Sequence, residues 1–193
     1  MSLTPDDIAA LFTRADGSFL CARWGRPVAP VIFGLADETL AIFRSAIGAA
    51  LSHAGLPMTE TDPESGANWL LFAAKDWDDI AAIPDMDRLT GRPDLPAQMA
   101  KANASSYQLF RFDDTGAIRA ALGFLILGGP AKESHPAQLA ETMAMRALLT
   151  WARPITPTPA LAALTRAAYA PELPAAATDP SHAYRLAARA SFV

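Results

Sequence analysis

The sequence predicts an α+β fold with a mixed or antiparallel sheet of three to five strands, a backing helix, a buried central helix and a helical C-terminal tail. The first observation is a hairpin pattern, because two apolar runs, 107–112 and 117–127, flank a turn rich in Asp and Gly. The second is segment 134–151, whose helical polar stripe is so narrow that most of its faces must be buried. The third is that the predicted strands precede a tail of helices, which favours α+β over a doubly wound sheet.

Length and composition predict a single domain over residues 1–193, with segment 152–193 as a helical extension packed on it. Apolar residues make up 51% of the chain and charged residues 19%, which is typical of a globular protein. The net charge is -4 and Lys and Arg form no run, so neither nucleic acid nor an anionic membrane surface is an expected partner. The sole cysteine, Cys21, lies in an apolar stretch, which favours a buried thiol over a reactive one.

No segment approaches the roughly 20 apolar residues that cross a bilayer, so no membrane span is predicted. The first residues lack the basic and apolar regions of a secretory signal, which predicts a cytoplasmic protein for the chain as it stands. Residues 1–3 can also be a cloning leader that replaced a signal peptide, in which case the protein is exported. The compartment and the oligomeric state are open on sequence grounds.

The first element is a helix that begins at Thr4, where a capping hydroxyl is followed by proline and two acids. A turn leads into a strand over residues 18–24 and then a second extended run over 28–33. Pro27 and Pro30 confine this second run to an edge or an interrupted strand, because proline donates no hydrogen bond to a sheet.

The backing helix is predicted over residues 37–53, since two acids open it and a Gly-Leu-Pro sequence follows it. Residues 68–73 form an apolar strand without alternation, which is typical of a central position. The stretch up to the hairpin is then predicted as a short helix over 77–83 capped by Asp76, a polar surface excursion over 84–96 and a second short helix over 95–104.

The tail begins with a proline-rich linker, which is stiff because three prolines fall within six residues. A short helix over 159–169 and a turn follow. A last amphipathic helix is predicted to begin at Thr178 and to turn Tyr184, Leu186 and Ala187 inward.

Common catalytic and cofactor-binding motifs are absent from the sequence. There is no Rossmann glycine pattern, no P-loop, no Gly-x-Ser-x-Gly and no Cys-x-x-Cys, so no cofactor is predicted. The three histidines, His53, His135 and His182, are far apart in the chain. For His53, in the last turn of its helix, a carbonyl or dipole partner is favoured over a metal.

Two groups of charged residues admit both a functional and a structural interpretation. Five aspartates can attract calcium, but the EF-hand spacing is missing and helix capping with a solvated acidic face is favoured; they are Asp76, Asp78, Asp79, Asp85 and Asp87. Five arginines can line an anion pocket, although single arginines are more often salt-bridge partners; they are Arg23, Arg26, Arg88, Arg92 and Arg111. A possible pocket is assigned to Arg23, Trp24 and Trp151, although tryptophans are apolar anchors first.

Short motifs spread over most of the chain carry a resemblance to a known group of proteins. They are Arg23-Trp24 with Pro27, Asp62-Pro63, Gly66-Ala67-Asn68, Leu139-Ala140-Glu141 and residues 168–173. With this order of elements, the chain resembles zinc-dependent metallopeptidases of the zincin type. More narrowly, it resembles an uncharacterised bacterial family of unknown function that is grouped with them.

The resemblance implies that the buried helix corresponds to the zincin helix with the motif His-Glu-x-x-His, whose histidines hold Zn²⁺ while the glutamate activates its water. Here Ala140 and Ala144 stand at the two histidine positions, and their methyl groups cannot ligate a metal. The resemblance therefore implies a degenerate member without zinc-peptidase chemistry. Glu141 is then expected to be a buried or half-buried carboxylate held by Arg119 or Arg146.

The leading hypothesis is a non-catalytic binding or interaction module whose partner is an unidentified protein or small molecule. The alternative is a hydrolase with a relocated site in which Glu141 is the general base. In that case His135, Glu141 and His182 are the metal ligands if they converge. A third hypothesis is a structural or assembly protein, which a contiguous exposed apolar patch would favour.

Overall fold

The computed structural model describes residues 3–191. Within this range the helices are α1 (Pro5–Phe12), α2 (Asp37–Ala54), α3 (Trp77–Ala81), α4 (Met86–Thr90), α5 (Leu95–Lys101), α6 (Pro136–Leu148), α7 (Pro159–Ala168) and α8 (His182–Ala190). A 3-10 helix, Gly129–Glu133, precedes α6. The strands are β1 (Cys21–Ala22), β2 (Pro30–Phe33), β3 (Trp69–Ala74), β4 (Ser106–Phe112), β5 (Ile118–Ile126) and β6 (Ala176–Ala177).

Four strands form the main sheet in the order β2-β3-β5-β4. β3 runs parallel to β2 and β5, whereas β4 is antiparallel to β5 and joined to it by the predicted hairpin. The α+β class, the mixed sheet and the central position of β3 are therefore confirmed. The prediction that the run containing Pro30 forms an edge strand is also confirmed.

Helices cover both faces of the main sheet. On one face lie α2 and α6, where Met143 shares a buried cluster with Leu71 of β3. On the other face lie α3, α4 and α5, where the Phe124 ring centroid lies 5.7 Å from that of Phe72 and 5.9 Å from that of Trp77. Because the central strands are buried on both sides, their sequences are apolar without alternation.

A glycine in the central strand β5 leaves room for side chains from β3 and α6. A Cβ atom built on Gly123 would lie 3.0 Å from Leu71 Cδ1 and 3.6 Å from Met143 Cε. On α6, Ala140 is 0% and Ala144 1% exposed. The space above Gly123 is therefore filled by the ends of longer side chains, as close packing of the core requires.

A second sheet, of two strands, joins a segment near the start of the described chain to a segment near its end. β1 pairs antiparallel with β6, where Cys21 is opposite Ala177. Nearby, α8 packs against α1 and α7, and Leu186 shares a buried cluster with Ile8. Up to residue 191, the C-terminal extension therefore contributes to the same core as α1.

The predicted strand over residues 18–24 is wrong in its extent, since only β1 is a strand there. The chain changes partner after β1, because Arg23 bridges to Leu149 and Trp24 bridges to Ile118. Each partner comes from a different part of the fold, so the extended run forms single bridges in place of one continuous ladder.

Other boundaries also differ from the prediction. The polar excursion 84–96 contains α4, which is anchored by Met86 at 4% exposure. α6 ends at Leu148 rather than 151, because Leu149 turns extended and pairs with the N-terminal segment. α8 begins at His182 rather than Thr178.

The inward face predicted for the last helix is partly wrong. Leu186 is fully buried, as predicted, and Ala187 is half-buried. Tyr184 is 63% exposed, because α8 turns this position away from α1 and α7.

The predicted helix caps are confirmed. Thr4 Oγ1 accepts from Asp7 N at 3.2 Å, and Asp7 Oδ2 accepts from Thr4 N at 3.0 Å. Asp76 Oδ1 accepts from Asp79 N at 3.0 Å and so caps α3. Gly55 ends α2 in the left-handed region with φ of 72°.

A buried polar hub fixes the loop that leads into β3. Asp62 Oδ1 accepts from the backbone N of Glu64 and of Ser65, both at 3.0 Å. Asn68 Nδ2 donates to Asp62 Oδ2 at 3.2 Å, and Asn68 Oδ1 accepts from Ala29 N at 2.8 Å. Burial alone raises the pKa of Asp62, but these hydrogen bonds and Arg26 outweigh it and hold the pKa below the ordinary value of 3.8.

The exposed large apolar side chains of the described residues lie on separate elements. Over residues 3–191 the exposed large apolar side chains are Phe33, Met58, Phe112 and Tyr184, on β2, a loop, β4 and α8. Within the same range, no helix has both the length and the apolar character that crossing a bilayer requires. The hypothesis of a structural or assembly protein thus stays a prediction.

Candidate functional site

A pocket of about 790 Å³ lies between α2, α6 and α7, and we call it the helical pocket. This volume falls within the range of small-molecule sites, roughly 300–1,000 Å³. Its walls are Ala41, Ile42, Ser45, Ala46, Ala49, Ala50 and His53 on the α2 side, Ala137, Glu141, Met145 and Leu148 on the α6 side, and Pro157, Thr158, Pro159, Ala162 and Thr165 on the α7 side.

Helical spacing explains how the pocket forms. On α6 the wall residues lie three or four positions apart, so they share one face. Six of the wall residues are alanines, whose methyl groups fill little of the space between the helix axes. The pocket is therefore an apolar cavity left by short side chains.

His53 lines the helical pocket and hydrogen-bonds across to α7. It lies in the last turn of α2, and its Nε2 is 2.8 Å from the carbonyl oxygen of Ala162 on α7. A carbonyl oxygen only accepts, so Nε2 carries the hydrogen, and Nδ1 is the acceptor of the neutral ring. The predicted carbonyl partner of His53 is confirmed, but it belongs to a neighbouring helix.

Glu141 is exposed on the pocket side of α6, so the prediction of a buried carboxylate held by an arginine is wrong. Arg119 instead pairs with Glu64 at 3.3 Å. Arg146 donates to the hydroxyl of Ser106. Within residues 3–191, Glu141 has no ion-pair partner, so its oxygens are available to a ligand.

The two threonines of the helical pocket are engaged with the backbone of α7. Thr158 Oγ1 accepts from Leu161 N at 3.2 Å and caps the helix. Thr165 Oγ1 donates to Leu161 O at 2.8 Å. The ionisable groups of the wall are thus Glu141 and His53.

The two alanines that the resemblance equates with zincin histidines, Ala140 and Ala144, lie on the opposite side of α6. Ala140 is in the cluster with Phe43 and Leu71, and Ala144 is in the cluster with Trp69. Both side chains are inside the packed core between α6 and the sheet. This placement gives the zincin resemblance no support, and the resemblance stays a prediction.

The histidines of the alternative metal site have separate structural settings. His135 is exposed and caps α6, since its Nδ1 accepts from Ala137 N at 3.2 Å. His182 is 2% exposed at the start of α8, and burial lowers its pKa. Over residues 3–191, no three His, Cys, Asp or Glu side chains are placed to hold a metal ion. His135, Glu141 and His182 are therefore not brought together as ligands.

The predicted pocket residues Arg23, Trp24 and Trp151 are in three different settings. Trp24 is 1% exposed and its Nε1 donates to Ala147 O at 2.7 Å, so it is a core residue. The Arg23 guanidinium lies 5.5 Å from the ring centroid of Tyr169. Trp151 is half-buried and lines a cavity other than the helical pocket.

Most of the remaining charged or reactive candidates have structural roles. Arg26 Nη1 pairs with Glu64 Oε2 at 2.9 Å, and Arg111 donates to a backbone carbonyl at 2.7 Å. Cys21 is 4% exposed and burial raises its pKa to about 12, which confirms the predicted buried thiol. Arg92 is the exception, because it lines a cavity that it shares with other arginines.

Sequence reasoning missed the helical pocket and the part that His53 has in it. The usable signal was the alanine stripe of α2, which recurs at helical spacing on the same face as His53. That stripe is equally compatible with close helix packing, so the cavity becomes visible only when the distance between the helices is known.

Comparison of the chain with protein-family models, curated proteins and solved structures finds no match. The function is therefore argued from the site itself. What the site offers is a mostly apolar pocket whose ionisable wall residues are Glu141 and His53.

Proposed function

We propose that this protein is a non-catalytic binding module whose helical pocket takes a small ligand with an apolar body and an amine head. The observation that carries the proposal is the composition of the wall, in which alanines and other apolar residues surround the exposed carboxylate of Glu141. A carboxylate only accepts hydrogen bonds. A head group that donates hydrogen bonds and is positively charged therefore matches Glu141.

The expected affinity comes mainly from the apolar body of the ligand. Each methylene that leaves water contributes about 0.8 kcal/mol, so an alkyl chain supplies most of the binding free energy. Glu141 is exposed, and an ion pair at such a position contributes about 0.5–1 kcal/mol. We therefore expect an amine to bind about two- to fivefold more tightly than an uncharged ligand of the same length.

The test uses the fluorescent probe N-phenylnaphthylamine and its displacement by decylamine, decanol and decanoate. We expect all binding to be lost in Ala49→Trp, because Ala49 lies on the pocket wall and the indole fills the cavity. Ser52→Trp is the matched control, since Ser52 is an exposed α2 residue outside the wall. Equal probe binding in both variants contradicts the proposal.

The head-group preference is tested with Glu141→Gln. This variant should bind decanol as the wild type does and should lose the preference for decylamine. Decanoate should bind more weakly than decanol to the wild type, because Glu141 repels its carboxylate. A preference for decanoate in the wild type contradicts the proposed acceptor role of Glu141.

A hydrolase with Glu141 as general base is the second candidate function. The observation in its favour is that Glu141 shares the helical pocket with His53, so two groups able to take up a proton face one cavity. It predicts hydrolysis of nitrophenyl esters by the wild type and loss of that activity in Glu141→Gln with stability unchanged. This result would replace the binding proposal, whereas equal rates in wild type and variant reject the hydrolase.

A further inference from the structure

A second cavity, which we call the arginine cavity, lies where β4 passes the C-terminal end of α6. Its volume is about 490 Å³, and it shares no wall residue with the helical pocket. Four arginines are among its wall residues, Arg14, Arg92, Arg146 and Arg153. Among its wall residues, all from the described part of the chain, none is acidic.

Several arginines elsewhere in the fold are paired with a carboxylate. Arg26 and Arg119 both pair with Glu64, at 2.9 Å and 3.3 Å. Arg189 pairs with Glu172 at 3.3 Å. The arginine cavity therefore differs from these sites in lacking a carboxylate for its positive charges.

Arg146 is the most informative member of the arginine cavity. It is half-buried on α6, and its Nη1 donates to the hydroxyl of Ser106. Between residues 3 and 191, no carboxylate lies within salt-bridge distance of it. Burial lowers the pKa of Arg146, which reflects a charge that has lost water and gained no counter-ion. A bound anion would supply that counter-ion.

Arg92 is held in place by neutral partners. Its Nη1 donates to the hydroxyl of Tyr107 at 2.7 Å, and its Nη2 donates to Gln98 Oε1 at 2.9 Å. These hydrogen bonds orient the guanidinium without neutralising it. A pre-oriented guanidinium loses less conformational entropy when it binds a ligand.

We propose that the arginine cavity binds a small organic oxyanion with at least two negative charges, either a phosphate ester or a polycarboxylate. Guanidinium groups match such oxyanions through paired N–H donors. The volume also suits a small molecule. Because none of the wall residues is acidic, the four arginines give the cavity a local positive field that attracts an anion.

The test is a calorimetric titration of the full chain with inorganic phosphate and, separately, with citrate, at constant ionic strength in chloride. Saturable binding of one ligand per chain supports the proposal, and the tighter of the two ligands identifies the phosphate or the carboxylate class. Arg146→Gln and Arg153→Gln should each weaken binding about tenfold or more, because a charged hydrogen-bonding partner is lost. Arg146→Lys should restore only part of the affinity, since it keeps the charge but not the paired donors.

Arg166→Gln is the matched control, because this exposed arginine of α7 lies outside the cavity and its loss changes the net charge equally. The affinity of Arg166→Gln for phosphate and for citrate should equal that of the wild type. If Arg146→Gln does not fold, Arg153→Gln decides, since Arg153 is exposed. Absence of saturable binding of both ligands at about 1 mM, or an equal loss in Arg166→Gln, overturns the proposal.

Discussion

Both sides of α6 carry alanines, but one side is packed in the core and the other lines a pocket. On the sheet side, Ala140 and Ala144 are buried in the packed core. On the pocket side, Ala137 is half-buried and lines the helical pocket together with alanines of α2. The difference teaches that alanine gives close packing or a cavity according to what lies opposite. Prolines at the start of α7 are part of the open side.

The first test of this comparison places a histidine on each side of α6. We expect Ala144→His to reduce the free energy of unfolding by about 4 kcal/mol, because it overpacks the core and buries an imidazole without a partner. Ala137→His, on the pocket side, should cost less than about 1 kcal/mol. Urea denaturation measures both. A folded Ala144→His protein that zinc stabilises would show a metal cleft on the sheet side.

The two methionines of α6 give a second matched pair. Met143 is 2% exposed against the sheet, and its replacement by alanine should cost about 3 kcal/mol through the cavity it leaves. Met145 is half-buried at the wall of the helical pocket, and Met145→Ala should cost about 1 kcal/mol or less. Similar losses in the two variants would mean that the pocket side is packed as tightly as the sheet side.

The pH dependence of stability distinguishes the buried carboxylate of Asp62 from the exposed carboxylate of Glu141. Asp62→Asn should cost about 2 kcal/mol at neutral pH, because its amide would face the Nδ2 donor of Asn68. The folded-state pKa of Asp62 lies below 3.8, so its contribution is present above about pH 4 and is lost as pH falls through the folded pKa.

Urea unfolding at about pH 7 and about pH 3 measures this contribution. The variant should show a weaker loss of stability on acidification than the wild type. Glu141→Gln is the exposed control and should stay within about 0.5 kcal/mol of the wild type at neutral pH. If Asp62→Asn loses as much stability as the wild type between the two pH values, the role given to the polar hub is contradicted.

The smallest expected effect is that of Gly123→Ala. The new methyl would lie 3.0 Å from the flexible end of Leu71, which must shift. Reduced backbone freedom of the unfolded chain offsets part of that strain, so we expect a net loss of about 0.5 kcal/mol. A gain in stability, measured by thermal unfolding, would show that α6 has room to spare on its sheet side.

Local signals allowed much of the fold to be predicted. The Thr4–Asp7 cap, the Gly55 end of α2 and the β4–β5 hairpin each depend on residues near in sequence. β6 consists of two alanines and was missed, because its strand character depends entirely on its partner β1. The same reason explains why the predicted strand at 18–24 was too long.

The cavities were harder to predict from the sequence than the helices and strands were. Arg92 was among the arginines expected in an anion pocket, but Arg14, Arg146 and Arg153 were not. The four come from separate parts of the chain, and only the tertiary fold brings them to one place. Glu141 was predicted as a candidate, but its exposure depends on which side of α6 faces the sheet.

The pairing of β1 with β6 has a consequence for the order of events during biosynthesis. β1 is translated early, whereas its partner leaves the ribosome only near the end of the described chain. The apolar segment around β1 therefore emerges before its partner strand, and distant pairings of this kind slow folding.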